Sequence, residues 1–202
     1  LNIHNNNKNI NSKFHRRLAY DEILANLLVL SQVRKKIKRF KKKNKIFDSY
    51  YSSKIKNNFN FKLTDNQNQA IDEINSDLKS NFKMFRLLQG DVGSGKTIVS
   101  LISAANVIRS EYQAVLMAPT EILAKQHYNL AKKVLPGIEI QFLSGKSENK
   151  IKKEIEKDIY SGKIKFLIGT HALFQKKIKF KDLGLVIIDE QHKFGVRQRI
   201  NL

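Results

Sequence analysis

Residues Gly90-Asp91-Val92-Gly93-Ser94-Gly95-Lys96-Thr97 space glycines, a lysine and a hydroxyl in the way a phosphate-holding loop requires. In the pattern G-x-x-x-x-G-K-[ST], glycines let successive backbone N–H groups turn toward phosphate oxygens. The lysine reaches the β- and γ-phosphates, and the hydroxyl ligates magnesium. Those two roles fall to Lys96 and Thr97. Farther along, the apolar run Leu185-Val186-Ile187-Ile188 ends in Asp189-Glu190-Gln191-His192. A carboxylate at the end of a buried strand suits magnesium held mainly through water, and its neighbour suits polarising an attacking water. Asp189 and Glu190 therefore supply what the loop lacks for phosphoryl transfer, a reaction carried by positioning and charge neutralisation. The bland alternative for the pair is an acidic turn at a strand end.

These residues need elements to hold them. Phe85-Arg86-Leu87-Leu88 reads as a short strand feeding the glycines, and Ile98, Leu101, Ile102, Ala105 and Ile108 recur at helical spacing after them. The loop thus opens a helix whose N-terminus faces the anion. The runs Gln113 to Ala118, Ile138 to Leu143, Ile164 to Gly169 and Leu183 to Ile188 are short and apolar or β-branched, and helical patterns or loops separate them. Strands of that kind predict an α/β P-loop domain with a mostly parallel sheet flanked by helices. No internal repeat at a solenoid period is present.

Leu63-Thr64-Asp65-Asn66-Gln67 precedes a helical segment from Gln69 to Leu78, and Gln67 lies 29 residues before Lys96. A glutamine amide carries donor and acceptor together and can read the N6 and N7 edge of adenine. Equally, Thr64 or Asp65 can cap the helix with Gln67 as a first-turn partner. Both readings stand.

The chain has 202 residues, 41% of them hydrophobic, enough for one domain with a core plus an appendage. It has no cysteine, which excludes disulfides and thiolate metal sites and fits a reducing compartment. No apolar stretch nears the roughly 20 residues needed to span a bilayer. The formal charge of +20 is uneven: residues 1 to 60 hold 15 Lys/Arg against 3 Asp/Glu. Arg34 to Lys45 carries nine basic residues in twelve, with Ile37 and Phe40 interleaved. That stripe is either an electrostatic footprint for nucleic-acid phosphates or a solvated helix face. Asn2 to Ser12 reads as an exposed connector. Arg16 to Arg39 reads as one long helix, apolar on a broad face and basic toward its C-terminal end. A boundary is expected near residue 58, with a basic linker over 1–57 and the P-loop domain over 58–202.

Gln67, the Gly90 to Thr97 loop, Ala118-Pro119-Thr120-Glu121-Ile122-Leu123-Ala124-Lys125-Gln126-His127, Gly169-Thr170-His171 and Asp189-Glu190-Gln191-His192 follow the order of superfamily 2 helicase motifs. The wording of the loop, of the Ala-Pro-Thr-Glu-Ile-Leu segment and of Leu183 to Arg199 resembles the branch-migration helicases of the RecG family. The Arg16 to Arg39 helix is similar to the linker that such proteins place between a DNA-binding wedge and the motor. Transcription-repair coupling factors share much of this pattern, but are expected to differ inside the loop and to carry a second Glu where Gln191 stands.

The resemblance implies a RecA-like first motor lobe with ATP and Mg2+ as cofactors. Gln67 and residues Gly90, Asp91, Val92, Gly93, Ser94, Gly95, Lys96 and Thr97 would bind nucleotide. Lys96, Asp189 and Glu190 would carry catalysis, and Thr97 and Asp189 would hold the metal. It further implies that Pro119, Thr120, Gln126, Gly169 and Thr170 contact the sugar-phosphate backbone of branched or duplex DNA, although Thr120 also suits a helix N-cap. His192 would couple the ATP site to the partner lobe, or else be a packed core residue. His171 is given no metal role. The expected protein is a monomeric enzyme of the bacterial cytoplasm, not bound to membranes, acting on forks and Holliday junctions in recombination and repair. The 202 residues are expected to be a piece of it, lacking the wedge and the second motor lobe, and to hydrolyse ATP very poorly alone. The reading opposed to a motor is a P-loop nucleotide-dependent switch.

Overall fold

The computed structural model describes residues 13–38, 55, 59, 62–170 and 178–190, except the side chains of 13–15, 26, 30 and 33–38. These residues belong to two compact units. The first holds helix α1 (Lys13–Lys38) and the segment Ser80–Leu87. As its periodicity predicts, α1 runs unbroken. Its apolar residues Leu18, Ile23, Leu27 and Leu28 are all more than half exposed. An exposed Arg17–Asp21 pair (3.2 Å) spans one turn and contributes little, because water screens it. The basic stripe from residue 39 onward, the Asn2 to Ser12 connector, His171, Gln191 and His192 lie outside the described residues.

The second unit runs α2 (Asp65–Lys79), α3 (Lys96–Arg109), β1 (Gln113–Met117), α4 (Glu121–Val134), β2 (Ile140–Leu143), α5 (Asn149–Ser161), β3 (Phe166–Gly169) and β4 (Leu183–Ile188). The strands form one sheet in the order β2-β3-β1-β4, and each neighbouring pair is parallel. The inner strands β1 and β3 are buried at every position, as continuous apolar runs require. The outer strands β2 and β4 are only partly buried.

Register shows that both sheet faces are covered. Val115 lies opposite Leu167, and Met117 opposite Gly169. Val115, Met117, Leu143 and Leu167 pack with Ile155 and Ile159 of α5 in one apolar cluster. Because side chains alternate along a strand, Phe142 points to the other face. There its ring meets Tyr128 of α4 at 5.9 Å. Helix α3 packs against β1 and β4 and buries residues nearly all round its axis, the signature of a central helix. Its buried Asn106 amide donates to Asn75 of α2 (2.9 Å), so that burial leaves the polar group satisfied.

The amino ends of the strands are pinned by Gln113. Its side-chain nitrogen donates to the carbonyls of Ile159 (2.9 Å) and Ile164 (2.7 Å). Its side-chain oxygen accepts from the N–H groups of Lys181 (2.9 Å) and Asp182 (3.1 Å). All four hydrogen-bonding positions of the amide are used, which balances its near-complete burial.

One expected strand does not form. Phe85 to Leu88 carries no strand, and Phe85 and Leu87 are 60% and 67% exposed. A short run such as this, three apolar residues and Arg86, becomes a strand only when an edge pairs with it, and no described strand does. In contrast, α2 begins four residues before the expected Gln69. Thr64 and Gln67 form a reciprocal cap: the Gln67 N–H donates to Thr64 Oγ1 (3.3 Å), and the Thr64 N–H donates to Gln67 Oε1 (3.0 Å).

Candidate functional site

In a parallel sheet all carboxyl ends share one edge, where ligands collect. Ladder bonds carry the chain past each strand end. Ala118 N–H donates to Gly169 (3.0 Å), Thr170 N–H to Leu143 (3.4 Å) and Asp189 N–H to Met117 (2.8 Å). These bonds bring Ala118, Thr170 and Asp189, far apart in sequence, to one edge.

The glycine loop leads into α3 at the same sheet. Gly93 and Gly95 have φ of +84° and +81°, a left-handed backbone that glycine adopts without penalty. Gly95 is the N-cap of α3 and accepts from Ile98 N–H (3.0 Å), so the N–H groups of Lys96 and Thr97 lead the helix at its positive end. Lys96 Nζ donates to the carbonyls of Gly90 (2.6 Å) and Asp91 (2.7 Å), across the mouth of the loop. Val92 stands fully exposed at its tip. Gln67 closes the other side: its Nε2 donates to the Ser94 carbonyl (3.0 Å), and a Cβ on Gly95 would run into that same nitrogen. Gln67 thus both caps α2 and touches the loop.

Asp189 and Glu190 follow β4 directly. Glu190 takes φ of +52°, a conformation that costs a non-glycine residue energy and recurs at functional sites. The Asp189 carboxyl is held below the usual carboxylate range. The largest cause is its hydrogen bond from His127, against which burial works; the His127 charge, the Glu190 N–H and the Lys96 ammonium lower it further.

His127 has no assigned role in the sequence motifs. Its Nε2 lies 2.8 Å from Asp189 Oδ2. A signal was present: the face that α4 buries is Ala124, His127, Ala131 and Val134, a helical stripe in which the histidine is the one polar member. A polar ring on an apolar stripe asks for a partner.

The residues expected on DNA are placed as follows. Thr120 is exposed and caps α4, accepting from Leu123 N–H (3.3 Å). Pro119 is half-buried and Gln126 exposed. Gly169 and Thr170 are buried.

Among the described residues no three His, Cys, Asp or Glu side chains gather as a metal cage. Magnesium needs no such cage, since one or two protein oxygens with water and phosphate typically complete its shell, and the Thr97 hydroxyl and the Asp189 carboxylate are donors of that kind.

The DEAD/DEAH box helicase profile matches residues 64–202. The ATP-dependent DNA helicase RecG of Aquifex aeolicus is 45% identical over 188 residues, 92% of this chain and 24% of that protein. RecG of Escherichia coli K12 is 41% identical over 93% of this chain and 27% of that protein. The chain therefore spans about a quarter of the length of the curated relatives it matches. A solved RecG bound to a three-way DNA junction superposes with a TM-score of 0.80 at 38% identity, over 89% of this chain and 25% of that one. The UvsW helicase of bacteriophage T4 shares the fold, with a TM-score of 0.56 at 14% identity over 79% of this chain and 56% of that one. On this profile, and on a RecA-like sheet with its P-loop and acidic pair in helicase order, the chain belongs to the DEAD/DEAH box helicase family.

Proposed function

We propose that residues 1–57 and 58–202 are the linker and the first motor lobe of a RecG-like helicase of the bacterial cytoplasm, which uses ATP hydrolysis to remodel forks and Holliday junctions. The observation that carries this reading is the glycine loop at the N-terminus of α3, held from the other side by Gln67 through Ser94, with a DNA-bound RecG as structural relative. Lys96 would exchange two neutral carbonyl acceptors for phosphate oxygens, to which its bonds are charge-assisted and stronger. The leading N–H groups of α3 would receive the same phosphates. Gln67 uses one N–H on Ser94 and one lone pair on Thr64, so an amide with two of each keeps one donor and one acceptor for adenine. Asp189 and Thr97 would hold the metal, and Glu190 would orient and deprotonate the attacking water. Magnesium, when bound, neutralises charge developing on the phosphates. Thr120 and Gln126 would meet the DNA backbone without reading its bases. His192 would pass the state of the ATP site to the partner lobe.

If these residues are one of two motor lobes, an arginine finger worth ~10³ to 10⁵ in rate comes from elsewhere. The isolated chain then binds nucleotide but turns it over slowly. Steady-state ATPase of the chain with and without forked DNA checks this; DNA-stimulated turnover close to that of a complete helicase overturns it. Calorimetric titration of ATP with Mg2+ tests the site itself. Lys96→Ala is expected to weaken binding at least tenfold, and Gln67→Ala to erase any preference for ATP over GTP. Binding unchanged by Lys96→Ala would sink the ATP reading.

A further inference from the structure

Asp189 is held by more than its own strand. Its N–H is in the ladder to Met117, its carboxylate accepts from the Glu190 N–H, and Oδ2 lies 2.8 Å from His127 Nε2. The histidine comes from α4, 62 residues away in sequence, and is 8% exposed. An apolar side chain would fill the Ala124, Ala131 and Val134 stripe without a desolvation penalty, so what histidine adds there is the bond. A carboxylate offers about four lone-pair sites, and two donors leave capacity for the water shell of a metal. Because rotation about the Asp189 side chain would swing that capacity away, a rigid donor on a packed helix fixes where it points. A buried neighbour of this kind typically changes metal affinity by 10- to 100-fold when removed.

We propose that His127 is a positioning residue of the ATP site, donating from Nε2 to Asp189 Oδ2 so that the remaining carboxylate lone pairs face the metal of the metal–nucleotide complex. This rests on the ATP-site reading above. It requires an imidazole that carries a proton on Nε2. Long-range 15N correlation spectra of the wild-type ring are expected to show that proton; a ring protonated on Nδ1 alone overturns the proposal whatever any variant does.

Mn2+ affinity of the chain's ADP complex, read by electron paramagnetic resonance, provides the second measure. His127→Leu, which keeps bulk and loses the donor, is expected to weaken Mn2+ by 10- to 100-fold while ADP affinity in EDTA stays within about twofold. His127→Gln, whose side-chain nitrogen reaches similarly far, is expected to recover most of the loss. If His127→Leu fails to fold, the spectrum and the glutamine variant still decide: a glutamine variant that folds yet binds Mn2+ no better than Asp189→Asn counts against the proposal. Wild-type Mn2+–ADP binding with no loss in His127→Leu sinks this proposal alone. No Mn2+–ADP binding by the wild-type chain sinks the ATP-site reading as well.

Discussion

At Gly95 two constraints coincide. Its φ of +81° is open to glycine, whereas an L-residue there costs roughly 1 to 2 kcal/mol, and a Cβ would also meet the Gln67 amide. Gly95→Ala is therefore expected to destabilise the chain and to weaken nucleotide binding together, because Gln67 must leave Ser94. Gly93→Ala, which meets no neighbour, carries only the first penalty. Denaturant midpoints for the two variants check the order; equal losses would contradict it. The Asp189 carboxyl gives a pH prediction. Its folded pKa is depressed, so its contribution to stability is complete above the ordinary value of about 4 and is lost as pH falls through the lower folded value. A 13C-detected titration should find it below about 4, and a midpoint at or above that range would refute the hydrogen bond from His127 as the dominant cause.

At the scale of elements, local signals were legible and pairings were not. Runs such as Ala114-Val115-Leu116-Met117 are buried on both faces and announce strands by composition alone. Thr64 and Gln67 announced the cap of α2 by their spacing, and the same glutamine also donates to the Ser94 carbonyl of the glycine loop, a contact that the spacing does not reveal. What the sequence could not display is which strand neighbours which, since β1 pairs with β3 and β4 across long intervals. The His127 to Asp189 bond is hidden for the same reason. Phe85 to Leu88 shows the converse, three apolar residues around Arg86 that join no described strand. Gln113 is the element-scale device that its composition conceals, because it joins α5 and the entries to β3 and β4. Gln113→Leu takes the side-chain partner from the Ile164 carbonyl and from the part-buried N–H groups of Lys181 and Asp182, while the Ile159 carbonyl keeps its bond from the Gly162 N–H. At about 1 to 3 kcal/mol for each buried group left unmade, the loss should exceed about 2 kcal/mol. By comparison, Thr120→Ala removes one exposed cap and should cost about 1 kcal/mol. Urea unfolding ranks them; a Gln113→Leu loss below that of Thr120→Ala would show the clamp to be dispensable.

For the whole molecule, charge is the property that no single element explains. The +20 total is concentrated in the first 60 residues, whereas the P-loop lies in the second unit. If the stripe from Arg34 to Lys45 neutralises DNA phosphates, each lysine or arginine that engages one releases a counterion, and the logarithm of the binding constant falls with log salt at about 0.9 per phosphate on a duplex. Lys41, Lys42 and Lys43 stand together in that stripe. Replacing all three with glutamine should weaken binding to a forked duplex at low salt and reduce the slope by about 1 for every phosphate no longer neutralised. Nucleotide affinity, proposed to reside in the P-loop of the other unit, should not follow. Fluorescence anisotropy across a salt series separates the outcomes. A slope unchanged by the triple substitution means that these lysines engage no phosphate and are merely solvated, and that any DNA held by the chain is held elsewhere, with α4 and the carboxyl edge of the sheet the next surfaces to substitute.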